Sequence, residues 1–530
     1  MKTIPELALG YADAENYKKR ENKKMFSRIF LRTPELDRLC EQDVYFLIGE
    51  KGTGKTAYAV FLSNMDYKDN VAAIRYIRET EYKKFVFLKK EKHLSLSDYT
   101  SIWKVILCLL LAQHIREKEK ESLLGKFRRF GSLSRAIDEY YQSAFSPEIV
   151  RAIQFAEEAS LTAELISKWA SLGRESKAAV SFAENQFQMN LFYIQRQFEE
   201  ALDTLKLSRN YTLFIDGIDI RPSPVEYADY LECIKGLANA VWSVNTDFFA
   251  NIKDSKGRMR VVLLIRPDIF DSLGLQNQNS KIRDNSVVLN WNTTYTEYRN
   301  SPLFLVTDRL LNYDQPETLS PGEAWDYYFP FDARNVRSEQ EFPSSFIVAL
   351  RYSLYRPRDI LTMLSVLKEN FVEQARDTTQ VFSEQSFIDP AFTRKYSDYL
   401  LGEIKDQLLF YYSFKDYELF LKFFQFLDGQ FEFTYGKYLE AYESYSQFIE
   451  RNHLDRPPFC STPDNFLQFL YNLNLVCYMT ETSIADDPFF GWCFRDRTLS
   501  NIAPKVRTHA QYRIHYGLRK ALDLGRRLYP

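Results

Sequence analysis

The chain has 530 residues, more than one hydrophobic core usually supports, so two to four domains are expected. Its composition, with 45% hydrophobic and 26% charged residues, is that of a soluble globular protein. Six cysteines without C-x-x-C spacing argue against a zinc module or a disulfide framework and favour a reducing, cytoplasmic compartment. The first residues lack a signal-peptide pattern, and the most apolar helical stretch, 102–112, is too short to span a bilayer, so no membrane contact is expected.

The charge is unevenly distributed along the chain. The net charge is −2, but the residues from Arg495 onward include nine basic and two acidic side chains, a local net charge of +7. This asymmetry suggests an anionic partner, and the basic region Arg495–Arg527 is the candidate nucleic-acid surface.

Residues 1–43 predict a polar, helix-prone lead-in. Within it, the segment from Tyr11 to Tyr17 is a candidate contact for the base of a nucleotide. An amphipathic helix that covers the edge of a sheet is the alternative.

The phosphate-loop motif, Gly49–Thr56, directly follows the apolar run 44–48 and fits G-x-x-x-x-G-K-[ST] at every fixed position. Its glycines allow backbone N–H groups to surround a phosphate, and the next helix directs its positive end toward that phosphate. Lys55 is expected to reach the β- and γ-phosphates and Thr56 to bind Mg²⁺. The predicted nucleotide-binding residues are Gly49, Glu50, Lys51, Gly52, Thr53, Gly54, Lys55, Thr56 and Ala57. A chance match to a glycine-rich turn has a probability on the order of a per cent, and the flanking strand and helix patterns argue against it.

A second strand is predicted over 71–77, and the pattern from about residue 95 to 210 is helical, which predicts a large insertion. Apolar residues from Phe187 to Leu205 recur at spacings of three and four, as on a helix with one buried face, with coiled-coil pairing as the alternative. Residues 126–130 mix basic and aromatic side chains, which suits either a nucleic-acid surface or a solvated helix face.

Two acidic residues follow the apolar strand pattern over 211–215. In a parallel P-loop sheet, the carboxyl end of this strand lies beside the phosphate loop, so Asp216 is expected to help hold Mg²⁺. Asp219 is expected to polarise the attacking water or to support the metal. Its alternative role is that of a helix N-cap.

Arginines are the candidate site residues in the next two segments. Arg266 follows the strand pattern 260–265 and is expected to point toward the γ-phosphate, with an ion pair to Asp268 or Asp271 as the alternative. A fifth strand is predicted over 287–291 and a connector over 312–345. Beyond it, Pro357 places Arg356 and Arg358 at a helix start, which the helix dipole disfavours unless an anion such as a nucleotide phosphate lies nearby.

The C-terminal part begins with aromatic-rich helices. The stretch 465–478 then predicts a helix that runs into an extended segment. A turn at 486–488 and another strand over 490–495 follow, an order typical of a winged helix. DNA binding is one interpretation of this segment, and packing or partner contact is the favoured one.

Four motifs, in chain order, resemble the STAND and KAP side of the AAA+-related P-loop ATPases: Gly49–Thr56, Asp216–Asp219, Arg266–Asp268 and Arg356–Asp359. The resemblance covers about residues 10–370 and a winged-helix-like end. It implies an ASCE-type core that uses ATP and Mg²⁺, with Asp219 as catalytic acid, Arg266 as a sensor-1-like group and Arg358 as a sensor-2-like group. Many such relatives act in bacterial defence against phages, as ATP-driven switches or as partners of a separate effector. Ile220 stands where the STAND pattern has an acid, so slow or partner-stimulated hydrolysis is expected.

The sequence therefore predicts an α/β fold: a P-loop NTPase parallel-sheet core with a large helical insertion, followed by a helical lid and a C-terminal winged-helix-like domain. The expected domains are 1–43, 44–311, 312–393 and 394–530. The expected function is that of an ATP-hydrolysing regulatory switch, a homo-oligomer or the partner of an effector protein. Its predicted catalytic residues are Lys55, Asp216, Asp219, Arg266 and Arg358. The alternatives are a nucleic-acid-binding ATPase that uses the basic region, or a nucleotide-binding scaffold with little turnover.

Overall fold

A computed structural model of the chain describes residues 1–525, apart from 78–95, 123–194, 197, 204, 223–224, 335–340, 343, 375–380, 481–488 and 499–500. The chain divides into two compact units. The α/β unit comprises Pro34–Ile48 and Lys55–Val288, and the helical unit comprises Met1–Thr33, Gly49–Gly54 and Leu289–Pro530.

The strands, in chain order, are β1 (Phe46–Ile48), β2 (Asn70–Tyr76), β3 (Asn210–Asp216), β4 (Met259–Ile265), β5 (Ser286–Val288), β6 (Ala333–Arg334), β7 (Glu341–Phe342), β8 (Glu432–Thr434), β9 (Val476–Thr480), β10 (Phe489–Gly491) and β11 (Gln511–Ile514). The α-helices are α1 (Lys23–Ile29), α2 (Pro34–Leu39), α3 (Lys55–Asn64), α4 (Leu96–Ser122), α5 (Tyr227–Ser243), α6 (Pro267–Ser272), α7 (Gln278–Asn285), α8 (Pro302–Asn312), α9 (Glu323–Tyr328), α10 (Phe346–Tyr352), α11 (Pro357–Glu373), α12 (Glu384–Ile388), α13 (Pro390–Tyr411), α14 (Phe414–Phe423), α15 (Tyr435–Arg451), α16 (Pro463–Asn472) and α17 (Cys493–Asp496).

The α/β unit is built on a five-stranded, all-parallel sheet with the strand order β2-β3-β4-β1-β5. Its central strands are largely apolar, and every residue of β1 and β4 is buried, including Arg260, as expected for strands covered on both faces. The α/β architecture and the five core strands were predicted from the sequence. The fifth strand is shorter than its predicted range of 287–291, since β5 ends at Val288.

The helical unit has an aromatic core, which accounts for much of the phenylalanine and tyrosine content. The ring of Phe466 on α16, for example, lies 4.7 Å from that of Phe423 and 5.8 Å from those of Tyr445 and Phe459. Beside these helices lies a four-stranded antiparallel sheet with the order β10-β9-β11-β8.

One predicted strand in this unit is wrong in its extent. The pattern over 490–495 predicts a strand, but β10 ends at Gly491 and α17 begins at Cys493. The backbone N–H of Phe494 donates to the side-chain oxygen of Asn474 at 2.9 Å, so it is unavailable to a strand ladder.

Several predictions fall on residues outside the described ranges. They include most of the helical insertion, the basic-aromatic stretch 126–130, the turn 486–488 and the last two arginines of the basic region. Of the apolar stripe, Phe198, Ala201 and Leu205 are described and buried. Within the described ranges, no helix combines the length and hydropathy needed to cross a bilayer.

Candidate nucleotide-binding site

In the α/β unit, the two residues predicted to hold Mg²⁺ lie together. Thr56 is in the first turn of α3, and its hydroxyl donates to Oδ2 of Asp216, the last residue of β3, at 2.6 Å. The other carboxylate oxygen of Asp216 accepts from the Gly217 N–H at 2.8 Å. A hydroxyl and a carboxylate are the hard oxygen donors that Mg²⁺ prefers, so the donor set fits this ion.

The turn after β3 places Asp219 close to this pair. Gly217 has φ +89°, and a Cβ there would lie 2.8 Å from the carbonyl oxygen of Ile77, so only glycine fits. The hydroxyl of Tyr230 lies 2.9 Å from the carbonyl oxygen of Ile218 and 3.0 Å from that of Ile220, and it fixes the turn that carries Asp219. The alternative role of Asp219 as a helix N-cap is wrong, because the N-cap position of the next described helix, α5, is Glu226.

Asp216 has a perturbed acidity. Burial raises the pKa of its carboxyl to about 6, and repulsion from Asp219 adds to the rise, while Thr56 and Lys55 oppose it. A buried carboxyl with a raised pKa favours a nearby cation, because a metal ion stabilises the ionised form that burial disfavours. The electrostatics therefore agree with the donor chemistry.

Replacing Asp216 by Asn should stabilise the protein without metal or nucleotide above pH 6. The carboxyl binds a proton more tightly in the folded than in the unfolded state, so its contribution to the free energy of unfolding falls as the pH rises from about 4 to about 6. A rise in pKa of this size corresponds to about 3 kcal/mol.

The measurement is urea unfolding of both proteins in EDTA from pH 4.5 to 7.5. The difference in the free energy of unfolding between Asp216→Asn and wild type should grow as the pH rises to about 6 and then level off. Parallel curves would contradict the assignment.

Arg266 follows β4, as the sequence predicts, and its guanidinium is paired within the unit. Its Nε donates to Oδ1 of Asp268 at 3.0 Å, and Nη2 contacts Oδ2. Its side chain is only 3% exposed. The ion pair considered as the alternative is thus present in the structure.

In the helical unit, the residues Gly49–Gly54 form a tight, well-supported turn. Gly52 has φ +86°, and the Thr53 N–H and hydroxyl both donate to the carbonyl oxygen of Glu50, at 3.2 and 2.8 Å. The indole N–H of Trp291 donates to the carbonyl oxygen of Thr53 at 2.9 Å. These hydrogen bonds give the loop a defined shape.

The start of α11 lies against this loop. Nη1 of Arg356 donates to the carbonyl oxygen of Lys51 at 2.9 Å, and the Arg358 N–H donates to that of Gly52 at 3.4 Å. The anion predicted beside these arginines is a nucleotide phosphate. In the structure, protein carboxylates take that place: Asp359 pairs with Arg356, and Glu403 lies beside Arg358.

The residue before this pair is backbone-strained. Tyr355 has φ +53°, which is costly for a bulky side chain and is common at functional sites. Its buried ring lies 5.2 Å from that of Phe494, and the guanidinium of Arg495 covers it at 5.7 Å. Packing on these residues holds Tyr355 in the conformation that leads into Arg356.

In the segment predicted to contact a base, Tyr17 is already packed against other residues of the protein. Tyr17 is buried, its ring stacks on Phe26 at 4.3 Å, and its hydroxyl accepts from the Tyr11 N–H at 2.7 Å. Tyr11 itself is 44% exposed. Tyr11 is therefore the aromatic side chain of this segment that is accessible to a base.

No family model matches the chain. The chain is similar to the putative transposon gamma-delta 80.3 kDa protein of Escherichia coli strain K12, with 21% identity over 383 residues. The matched region covers 70% of this chain and 48% of that protein, so the chain spans about half the length of this relative. The name of that protein assigns no activity to it.

Sequence reasoning missed several residues that hold the loop. Arg497 pairs with Glu50, and the side-chain amide of Asn474 donates to the same carboxylate at 3.4 Å. Glu403 and Asp406 contact the amino group of Lys51. The polar character of the loop side chains was the only available signal, because these four partners lie more than 300 residues from the loop along the chain.

Proposed function

We propose that the protein is a Mg²⁺-dependent, ATP-binding regulatory ATPase that acts as a switch. The observation that carries the proposal is the 2.6 Å hydrogen bond between Thr56 and Asp216, which are 160 residues apart in the chain. It joins the last residue of the phosphate-loop motif to the carboxylate that ends β3. In parallel sheets, ligands bind outside this carboxyl edge.

Each residue has a defined role in this proposal. The backbone of Gly49–Gly54 would bind the phosphates, and Lys55 would neutralise the β- and γ-phosphate oxygens. Thr56 and Asp216 would hold Mg²⁺, which supplies charge neutralisation when it is bound. Asp219 would orient the attacking water and accept its proton. Positioning and charge stabilisation are the main catalytic contributions in such a reaction.

The finer fold assignment is also a proposal. The order α14, β8, α15, α16, β9 and β10, in which β9 and β10 form an antiparallel pair, supports a winged-helix-like C-terminal domain. The relation to STAND and KAP ATPases, assembly into a homo-oligomer and a role in defence with an effector protein remain predictions from the sequence resemblance.

Lys55→Ala should weaken ATP binding at least about 100-fold, since one buried charge-assisted contact to phosphate contributes roughly 3 kcal/mol. Calorimetric titration of ATP with Mg²⁺ measures this loss. Lys68→Ala is the matched control, because Lys68 pairs with Asp37 on the surface and should leave the affinity unchanged. Equal ATP affinity in wild type and Lys55→Ala would contradict the proposed function.

The contacts of the basic region favour internal packing over nucleic-acid binding. Arg513 pairs with Glu432, and the guanidinium of Arg519 lies 3.7 Å from the ring centre of Phe431. The helix α16 exposes Asp464 and Asn465 rather than basic side chains. These cations are thus already engaged by the protein.

Duplex DNA should therefore bind no more tightly than about 10⁻⁶ M at physiological salt, the level of non-specific association. Fluorescence anisotropy at several salt concentrations measures this affinity. Nanomolar binding that weakens steeply with salt and is lost in Lys505→Glu/Lys520→Glu would instead favour the nucleic-acid alternative.

A further inference from the structure

Two arginine–carboxylate pairs at the start of α11 differ in how firmly they are held. Arg356 makes two hydrogen bonds to Asp359, at 2.9 and 2.7 Å, and both side chains are buried. Arg358 makes a single 3.5 Å contact to Glu403 without a hydrogen bond, and its side chain is 28% exposed. The second pair is therefore held less firmly than the first.

Glu403 has an unusual environment for a carboxylate. Its side chain, on α13, is only 12% exposed, and its Oε1 lies 3.3 Å from the amino group of Lys51. Its Oε2 accepts no hydrogen bond from any residue that the structure describes. Burying a carboxylate is costly unless cations compensate it, so Lys51 and Arg358 are what make this position tolerable.

Both cations belong to the phosphate-binding region. Lys51 is part of the phosphate-loop motif, and the backbone N–H of Arg358 contacts the carbonyl oxygen of Gly52. The Cβ of Arg358 also lies 3.3 Å from the position that a Cβ on Gly52 would occupy, so the Arg358 side chain starts directly against the loop.

We propose that Glu403 is a competing anion that holds Arg358 while the loop carries no triphosphate and releases it when a triphosphate binds. This inference rests on the proposed ATP binding. After release, Glu403 keeps Lys51 as its partner, so its charge does not become isolated. Because the exchange is driven by the negative charge of the terminal phosphate, Glu403 lowers the affinity for the triphosphate more than that for the diphosphate.

The test is calorimetric titration of Glu403→Gln, which removes the charge at almost constant shape. ATP with Mg²⁺ should bind about fivefold more tightly than to wild type, a typical size for coupling between sites, and ADP should change by less than about twofold. Asp398→Asn is the matched control. Asp398 is an exposed carboxylate on the same helix, α13, so both affinities should stay within about twofold of wild type.

A second variant tests whether Glu403 acts through Arg358. Arg358→Met should weaken ATP binding more than ADP binding, and adding Glu403→Gln to it should give no further tightening. ATP binding by Glu403→Gln that is unchanged or weaker overturns the inference, as does a gain that persists without Arg358. If wild type binds ATP and Lys55→Ala does not, these failures leave the proposed function standing.

Discussion

The Asp219→Asn variant should hydrolyse ATP at least about 100-fold more slowly than wild type, the usual contribution of a general base. Asparagine cannot accept the proton of the attacking water, yet it preserves the shape of the turn that Gly217 and Tyr230 hold. The affinity for ATP should stay within about threefold of wild type, because Asp219 is not among the residues assigned to the phosphates. Phosphate release under single-turnover conditions measures the chemical step directly.

Asp254→Asn is the control for this experiment, since Asp254 is a surface carboxylate with 87% exposure. It should leave both the rate and the affinity unchanged. If wild type turns over no faster than Asp219→Asn under any condition, the protein is a nucleotide-binding scaffold and the hydrolytic part of the proposal fails.

The Asp359→Asn variant should lower the free energy of local opening at α11 by about 3–5 kcal/mol, the cost of breaking a buried ion pair. Asp359 accepts from Arg356 twice, from the Leu354 N–H at 2.9 Å and from the Tyr399 hydroxyl at 3.0 Å. Asparagine leaves the Arg356 charge buried and uncompensated. Native-state hydrogen exchange over α11 measures the opening free energy.

The same variant should weaken ATP binding, because Arg356 also holds the carbonyl of Lys51 in the loop. Asp398→Asn serves as the control, since Asp398 is exposed on α13 and should change neither exchange nor affinity. Faster exchange in α11 with unchanged ATP affinity would show that Arg356 does not shape the loop.

The proximity of Thr56 and Asp216 was predictable from the sequence because each of the two residues carries a local signal. Thr56 belongs to a motif with fixed spacing, and Asp216 ends an apolar strand, so parallel-sheet geometry was enough to bring them together. The Arg356–Asp359 pair could also be predicted, because residues three apart on a helix are neighbours. The anion predicted from the sequence was a ligand phosphate, whereas the structure has Asp359 in that place.

The contacts of Glu403 and Arg497 were not predictable. Each approaches the loop from more than 300 residues away, and the choice among many surface charges depends on how the helices and the antiparallel sheet pack. The basic C-terminal region shows the same limit, because a charge count does not reveal that Arg513 and Arg519 are already engaged. Tertiary packing, rather than composition, decides which charges are available to a partner.

The most direct test is a crystal structure with Mg²⁺ and a non-hydrolysable ATP analogue. We expect the β- and γ-phosphates beside Lys55 and a metal ion about 2.0–2.1 Å from the Thr56 hydroxyl oxygen, with Asp216 in its coordination shell. Entry of the metal should break the Thr56–Asp216 hydrogen bond. A nucleotide bound elsewhere, with that hydrogen bond intact, would contradict the central claim.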